Sequence, residues 1–234
     1  MAKNLLGRLE SKAFGLRELP RLEARVLDGF RALGDLTGTT SDAMDECRIP
    51  GVVPGSTLRP SDPKARVVAQ ALTVLNEAVE PFSSAKSGLA DIEAHNLAQP
   101  GDVLVIQGVA NVSSMGGVSA SVGKRQGEAG AIVDGAVRDI DHSRKIGYPV
   151  WSTSVSPMTG KWRIRTAAVN RPVRIAGITV NPGDLVIADE VGVCFVPFAR
   201  AAEVLAVAQR LVKREEDRLA KLGSGMPLQD WIKL

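Results

Sequence analysis

Two stretches of the chain, PGDVLVI at Pro100 to Ile106 and PGDLVIA at Pro182 to Ala188, each place a Pro-Gly-Asp turn directly before an apolar, β-branched run. Proline presets the first turn position, and glycine accepts the positive φ that the second can demand. An unbroken apolar run entered this way reads as a buried strand. Two such entries are too few for an internal repeat. They do commit the chain to a sheet that other elements must cover.

The remaining elements fit around those strands. Leu19 to Leu33 carries apolar residues at helical spacing, with Leu19, Leu22, Val26, Leu27, Phe30 and Leu33 on one side. Thr39, Thr40, Ser41 and Asp42 offer N-caps for a short helix through Asp45, stopped by Pro50-Gly51. Strands are expected at Arg66 to Val74, Ala131 to Val133, Val150 to Ser152, Val173 to Val180, Leu185 to Ala188 and Val193 to Pro197. Helices are expected at Asp91 to Leu97, Gly116 to Gln126, Asp139 to Ile146 and Phe198 to about Leu222. Strand and helix alternate in the middle, a β-meander follows, and helices flank both ends. The order predicts a layered α/β domain.

With 234 residues and 44% hydrophobic content, the chain can bury the core of one domain. Its net charge of +3 is mild, and Lys124-Arg125 and Lys213-Arg214 are the nearest approach to basic clusters. Aromatics make up 4% of residues, too few for a stacking platform, so no nucleic-acid partner is expected. Cys47 and Cys194 stand in no metal-spaced pair and set no disulfide framework. Charges cut the N-terminus before a signal-peptide core could form, and no run approaches the ~20 apolar residues of a membrane span. A soluble, cytoplasmic protein without a membrane partner is expected.

The segment DGAVRD, Asp134 to Asp139, follows the apolar run Ala131-Ile132-Val133. Neighbouring side chains on a strand alternate faces, so Arg138 and Asp139 cannot meet within one; they must serve the strand end. Open α/β folds place ligands at that carboxyl edge. Arg138 offers a planar fork for a carboxylate or enolate oxygen, and Asp139 a hard oxygen for Mg²⁺ or Mn²⁺. A plainer reading makes Asp139 the cap of the next helix and Arg138 a surface residue. Gly116-Gly117 opens a helix whose free N–H groups suit an anion, although glycines there could equally serve packing. His95 and His142 have no partner at ligand spacing and read as surface residues.

A glycine-led helix followed by EAGAIVDGAVRDIDHSRKIGYPVW and PVRIAGITVNPGDLVIADEVGVCFVP resembles the RraA-like family. That family contains the regulator of ribonuclease activity A and the class II 4-hydroxy-4-methyl-2-oxoglutarate aldolases. The likeness runs from about Leu36 to about Leu222, one domain with an N-terminal helical extension over residues 1–35, and its Arg-Asp pair follows the glycines by a spacer of about twenty residues. The resemblance implies an α/β/α sandwich of the swivelling, phosphohistidine-domain-like type, assembled as a homotrimer or homohexamer with sites between subunits. It implies that Asp139 holds the divalent metal and that Arg138 contacts the 2-oxo oxygen of a pyruvate unit. The glycine-led turn at Gly116, with the amides of Gly117, Val118 and Ser119, would take the carboxylate of a small 2-oxo acid. Glu215 or Glu216 of a neighbouring subunit would act through water.

Aldolase members usually carry an acidic residue immediately after the helix-opening glycine, where this chain has Gly117. Retro-aldol cleavage needs a base for a hydroxyl proton. Oxaloacetate decarboxylation needs only polarisation of the 2-oxo group and is the better supported activity of a metal-dependent carbon–carbon lyase. The alternative is a non-catalytic regulator that binds a ribonuclease or another protein. Lys161, Arg163 and Arg165 are candidates to meet a second substrate carboxylate, or are simply solvated loop charges. A menaquinone methyltransferase activity, also once ascribed to the family, finds no nucleotide-binding glycine motif here.

Overall fold

Both Pro-Gly-Asp stretches start strands by the same device. In the computed structural model, which describes residues 3–84 and 87–233, Gly101 and Gly183 take φ of +88° and +90°. The turns close from Asp102 N–H to Gln99 O at 3.0 Å and from Asp184 N–H to Asn181 O at 3.1 Å. Each aspartate then folds its own carboxylate back onto the amide three residues earlier, Asp102 onto Gln99 at 2.9 Å and Asp184 onto Asn181 at 2.7 Å. Both carboxylates are buried, and both are satisfied.

The strands are β1 (Val52–Pro54), β2 (Arg59–Pro60), β3 (Val67–Ala78), β4 (Asp102–Gln107), β5 (Ser113–Met115), β6 (Gly130–Val137), β7 (Val150–Val155), β8 (Ile164–Val169), β9 (Val173–Ile175), β10 (Ile178–Val180), β11 (Leu185–Ala188) and β12 (Gly192–Val196). The helices are α1 (Ala24–Arg31), α2 (Leu36–Glu46), α3 (Asp91–Leu97), α4 (Gly117–Gln126), α5 (Ile140–Lys145), α6 (Ala201–Gly223) and α7 (Leu228–Trp231). Among the described residues, ten strands join one mixed sheet in the order β1-β12-β11-β3-β4-β6-β7-β2, with β5 added to β6 and β8 to β3. Strands β3, β4, β6 and β7 run parallel; β9 and β10 form a separate hairpin.

The period of two along each strand divides the core. Leu72, Leu104, Ile106, Ala131 and Val133 face α3 and α4, while Val68, Leu185, Ile187 and Cys194 on the same side of the sheet meet α1, α2 and α6. The alternate residues, among them Ala69, Val103, Val105, Ile132 and Trp151, pack with Val173, Ile175 and Val180 of the hairpin. The layered α/β domain is therefore present, with helices over one face of the sheet and the hairpin over the other. No described helix is long and apolar enough to cross a membrane.

Several boundaries differ from expectation for local reasons. The first helix is confined to Ala24–Arg31, because Pro20 O and Leu22 N–H are held by the side-chain amide of Gln70 on β3. Helix α2 begins at Leu36, capped by Asp35 accepting from Gly38 N–H at 3.1 Å, ahead of the Thr39 to Asp42 caps expected. Val173 to Val180 divides into β9 and β10, with Ala176 and Gly177 at positive φ in the turn.

Candidate active site

Strand β6 delivers Arg138 to the carboxyl edge of the parallel strands, and the backbone then turns sharply. Asp139 adopts φ +56°, the left-handed region, which costs a non-glycine residue roughly 1–3 kcal/mol and is least unfavourable for Asp and Asn. The strain has a geometric product. Asp139 sits in the N-cap position of α5 but makes no cap with its side chain. Its Oδ2 instead accepts from Gly117 N–H at 2.9 Å and lies 3.5 Å from Arg138 Nε. The plainer reading, helix cap and stray arginine, is therefore set aside: two neighbours that cannot meet on a strand meet just beyond it.

The opening of α4 is shaped to receive that carboxylate. Gly116 is extended, at φ −145°, so its backbone does not demand glycine. Space does, since a Cβ there would stand 2.8 Å from Asp139 Oδ2 and 3.1 Å from Arg138 Nε. At Gly117 a Cβ would approach the exposed His142 ring at 3.2 Å, and the backbone is not left-handed. Gly117, Val118 and Ser119 are the first three residues of the helix, so their N–H groups have no intrahelical partner. Gly117 gives its own to Asp139.

These groups border a cavity of about 380 Å³ that brings together Gly116, Gly117, Val118, Ser119, Arg138 and Asp139. Cations border it as well. Of the three basic residues considered for a second carboxylate, Lys161 lines the cavity, Arg163 lies over the Phe82 ring and Arg165 pairs with Glu77. Arg8 also reaches it, from an N-terminal segment that Glu93, wholly buried on α3, holds by accepting from Leu6 N–H and Arg8 N–H. Glu215 and Glu216 lie exposed on α6 and do not line this cavity in their own chain; Glu215 borders a separate cleft with Asp42 and Trp231.

His95 requires correction. It is fully buried, not at the surface. Its Nδ1 faces Glu128 Oε1 at 2.8 Å and its Nε2 faces Ser119 Oγ at 2.8 Å. Ser119 in turn donates to Asp91 Oδ2 at 2.6 Å, and Tyr148 donates to Glu128 Oε2 at 2.6 Å. Burial, followed by the charge of Glu128, pushes the Tyr148 phenol well above its ordinary range, so it stays a donor. His142 is exposed as expected, its Nε2 2.8 Å from Ser121 Oγ. The spacing of Asp91 and His95, four residues apart on an expected helix, was the available signal that they share a face. Cys194, fully buried, has its thiol pushed up to about 12 by desolvation and by Asp189 and Asp35, which disqualifies it as a nucleophile.

Comparison with known proteins places the chain among relatives. Residues 37–195 match the RraA-like family, described as Aldolase/RraA. The chain belongs to the RraA-like family. A Halalkalibacterium halodurans relative, provisionally named a 4-hydroxy-4-methyl-2-oxoglutarate aldolase, is 30% identical over 165 residues, covering 70% of this chain and 75% of the relative. Protein DlpA of Legionella pneumophila is 29% identical over 81% of this chain, which spans only 30% of DlpA's length. Among solved structures, Streptomyces coelicolor RraAS2, titled an unusual member of the RNase ES inhibitor RraA protein family, superposes with a TM-score of 0.75 at 27% identity, covering 90% of this chain and all of that one. The RraA-like match ends well short of Arg8, so the N-terminal segment brings to the cavity a cation from outside the matched residues.

Proposed function

We propose that this RraA-like protein is a divalent-metal-dependent lyase that cleaves carbon–carbon bonds of 2-oxo acids to release pyruvate. The observation that carries the reading is the Asp139 carboxylate, about half exposed, fixed on one oxygen by Gly117 N–H and set beside Arg138 at the mouth of a helix. Among the described residues no three His, Cys, Asp or Glu side chains cluster as a preformed cage. A single carboxylate fits Mg²⁺ or Mn²⁺ nonetheless, because such ions keep several waters and take the rest of their ligands from substrate. Bound at Asp139, the ion would supply Lewis-acid polarisation of the 2-oxo group.

The chain's own residues then divide the work. The Val118 and Ser119 amides, at the positive end of α4, receive the carboxylate of the pyruvate unit. The Arg138 guanidinium faces the 2-oxo oxygen and stabilises the negative charge that appears there when the bond breaks. Lys161 and Arg8 suit the second carboxylate of a diacid such as oxaloacetate or 4-hydroxy-4-methyl-2-oxoglutarate. The deciding experiment is pyruvate release from both diacids with Mg²⁺ or Mn²⁺, stopped by chelator. A protein that turns over neither, yet binds a ribonuclease, would instead be a regulator, as the description of the Streptomyces relative suggests.

A homotrimer or homohexamer completes the proposal. Val118 is 83% exposed and Val155 64%, both bordering Arg138 and Asp139, and Met158 is 45% exposed nearby. An apolar rim around a charged cavity suits coverage by a neighbouring copy, whose Glu215 or Glu216 could then approach. Sedimentation velocity should give a closed assembly of three or six copies; a fully active monomer would contradict it.

A further inference from the structure

The same cavity is also lined by the side chains of Asp91, His95 and Ser119, which the reading above gives no part in the chemistry. Asp91 lines the cavity with its side chain 21% exposed. Behind it runs a chain of hydrogen bonds into the core: Asp91 Oδ2 to Ser119 Oγ, Ser119 Oγ to His95 Nε2, His95 Nδ1 to Glu128 Oε1, Glu128 Oε2 to the Tyr148 hydroxyl, and that hydroxyl to Gly130 O at 3.1 Å. His95 and Tyr148 are wholly buried, and Glu128 is 5% exposed. Packing alone does not demand this arrangement. Helices α3 and α4 already share apolar core through Ala94, Leu97 and Ala120, and an apolar replacement for a buried ionisable set is often neutral or stabilising.

Two features make the chain suitable for moving a proton. Ser119 has one hydroxyl hydrogen and two acceptors in reach, Asp91 Oδ2 at 2.6 Å and His95 Nε2 at 2.8 Å. It can turn from one to the other without moving its oxygen. The chain is also short of hydrogens: its five contacts each need one, whereas a neutral histidine with two ionised carboxylates supplies only the three of Ser119, His95 and Tyr148. It can therefore accept a proton by strengthening a contact it already has.

We propose that Asp91, backed by Ser119, His95 and Glu128, is the base that takes the hydroxyl proton in aldol cleavage, an inference that rests on the lyase reading above. The C4 hydroxyl proton of 4-hydroxy-4-methyl-2-oxoglutarate passes to Asp91 as the C3–C4 bond breaks. The C3–C4 electron pair goes to the enolate of one pyruvate, and C4 leaves as the carbonyl carbon of the other. Asp91 then donates to Ser119 Oγ while Ser119 donates to His95 Nε2, and Glu128 balances the resulting imidazolium. The reverse shift returns the proton to C3 of the enolate, so the reaction takes up and releases no net proton. Asp91 is the catalytic residue; His95 and Glu128 are positioning residues that act through it.

The test compares two reactions of the intact protein with Mg²⁺. Oxaloacetate decarboxylation has no hydroxyl proton to remove, and its enolate can take the C3 proton from solvent after the bond has broken, so it serves as the internal control. Asp91→Asn should lower kcat for cleavage of 4-hydroxy-4-methyl-2-oxoglutarate by about 10²–10⁴-fold, the usual worth of a placed base, with KM little changed and decarboxylation retained. His95→Gln should produce the same split at smaller amplitude. A purely structural network would lower both reactions together, along with the melting temperature. If His95→Gln does not fold, Asp91→Asn, at the cavity edge, decides alone. Equal losses, or none, overturn the relay and leave the lyase standing; so does a wild-type protein that decarboxylates but does not cleave. A wild-type protein inert toward both diacids overturns the lyase reading and the relay with it.

Discussion

Asp139→Ala should reduce metal-stimulated pyruvate release by about 10³-fold or more, since the Lewis-acid contribution lost with the ion is worth several kcal/mol and each ~1.4 kcal/mol is tenfold. The variant confounds two changes, because alanine also tolerates the φ of +56° less well than aspartate. Asp139→Asn separates them. Asparagine accepts the left-handed conformation, and its carbonyl can keep the 2.9 Å bond from Gly117 N–H. It lacks only the charge that holds a hard cation. Asp139→Asn should therefore melt within about 1 kcal/mol of wild type, as surface-level changes do, while losing Mn²⁺ affinity in calorimetry and nearly all turnover. Unchanged activity in the asparagine variant would remove Asp139 from the chemistry.

The strand entries were legible because their cause is local. Proline, glycine and aspartate fix a turn within four residues, and the apolar run that follows has nowhere to go but a sheet. The site was legible as a set of residue types at a strand end, not as a geometry. Nothing in DGAVRD announces that Asp139 turns left-handed, which alone lets it reach the start of α4. The burial of His95 is hidden in the sequence for a related reason. On a seven-residue helix shared with Asp91 and Glu93 the histidine reads as polar surface. It is buried because α4 and the β6 entry bring Ser119 and Glu128 against it, partners 24 and 33 residues distant, with Tyr148 before β7 closing on Glu128. Strand β8 was hidden by Lys161, Arg163 and Arg165, which read as loop charges although Arg165 belongs to an edge strand and pairs across it with Glu77.

The second large effect is expected at Gly116, where a methyl group should disable the site without unfolding the protein. At φ −145° and ψ −167° alanine is as comfortable as glycine, so the backbone exacts no strain. The new Cβ would stand 2.8 Å from Asp139 Oδ2 and 3.1 Å from Arg138 Cγ and Nε, and those side-chain atoms must yield. The carboxylate and the guanidinium must then move away from the helix opening, which weakens the hold of Gly117 N–H on Asp139 and changes the spacing of the pair. Misplacing a reacting group by about 1 Å can cost about 10²-fold, so the smaller shift forced by Gly116→Ala should lower cleavage and decarboxylation together by about tenfold and up to that order. Gly117→Ala is the control one residue along. Its Cβ meets the ring of His142, an exposed side chain that can swing aside, so the same methyl group should leave both activities within a few fold, about 1 kcal/mol by the usual conversion. Equal effects at the two glycines would mean that the space beside Gly116 does not hold Asp139 and Arg138 in their working positions, and the geometry assigned to the metal ligand would have to be abandoned.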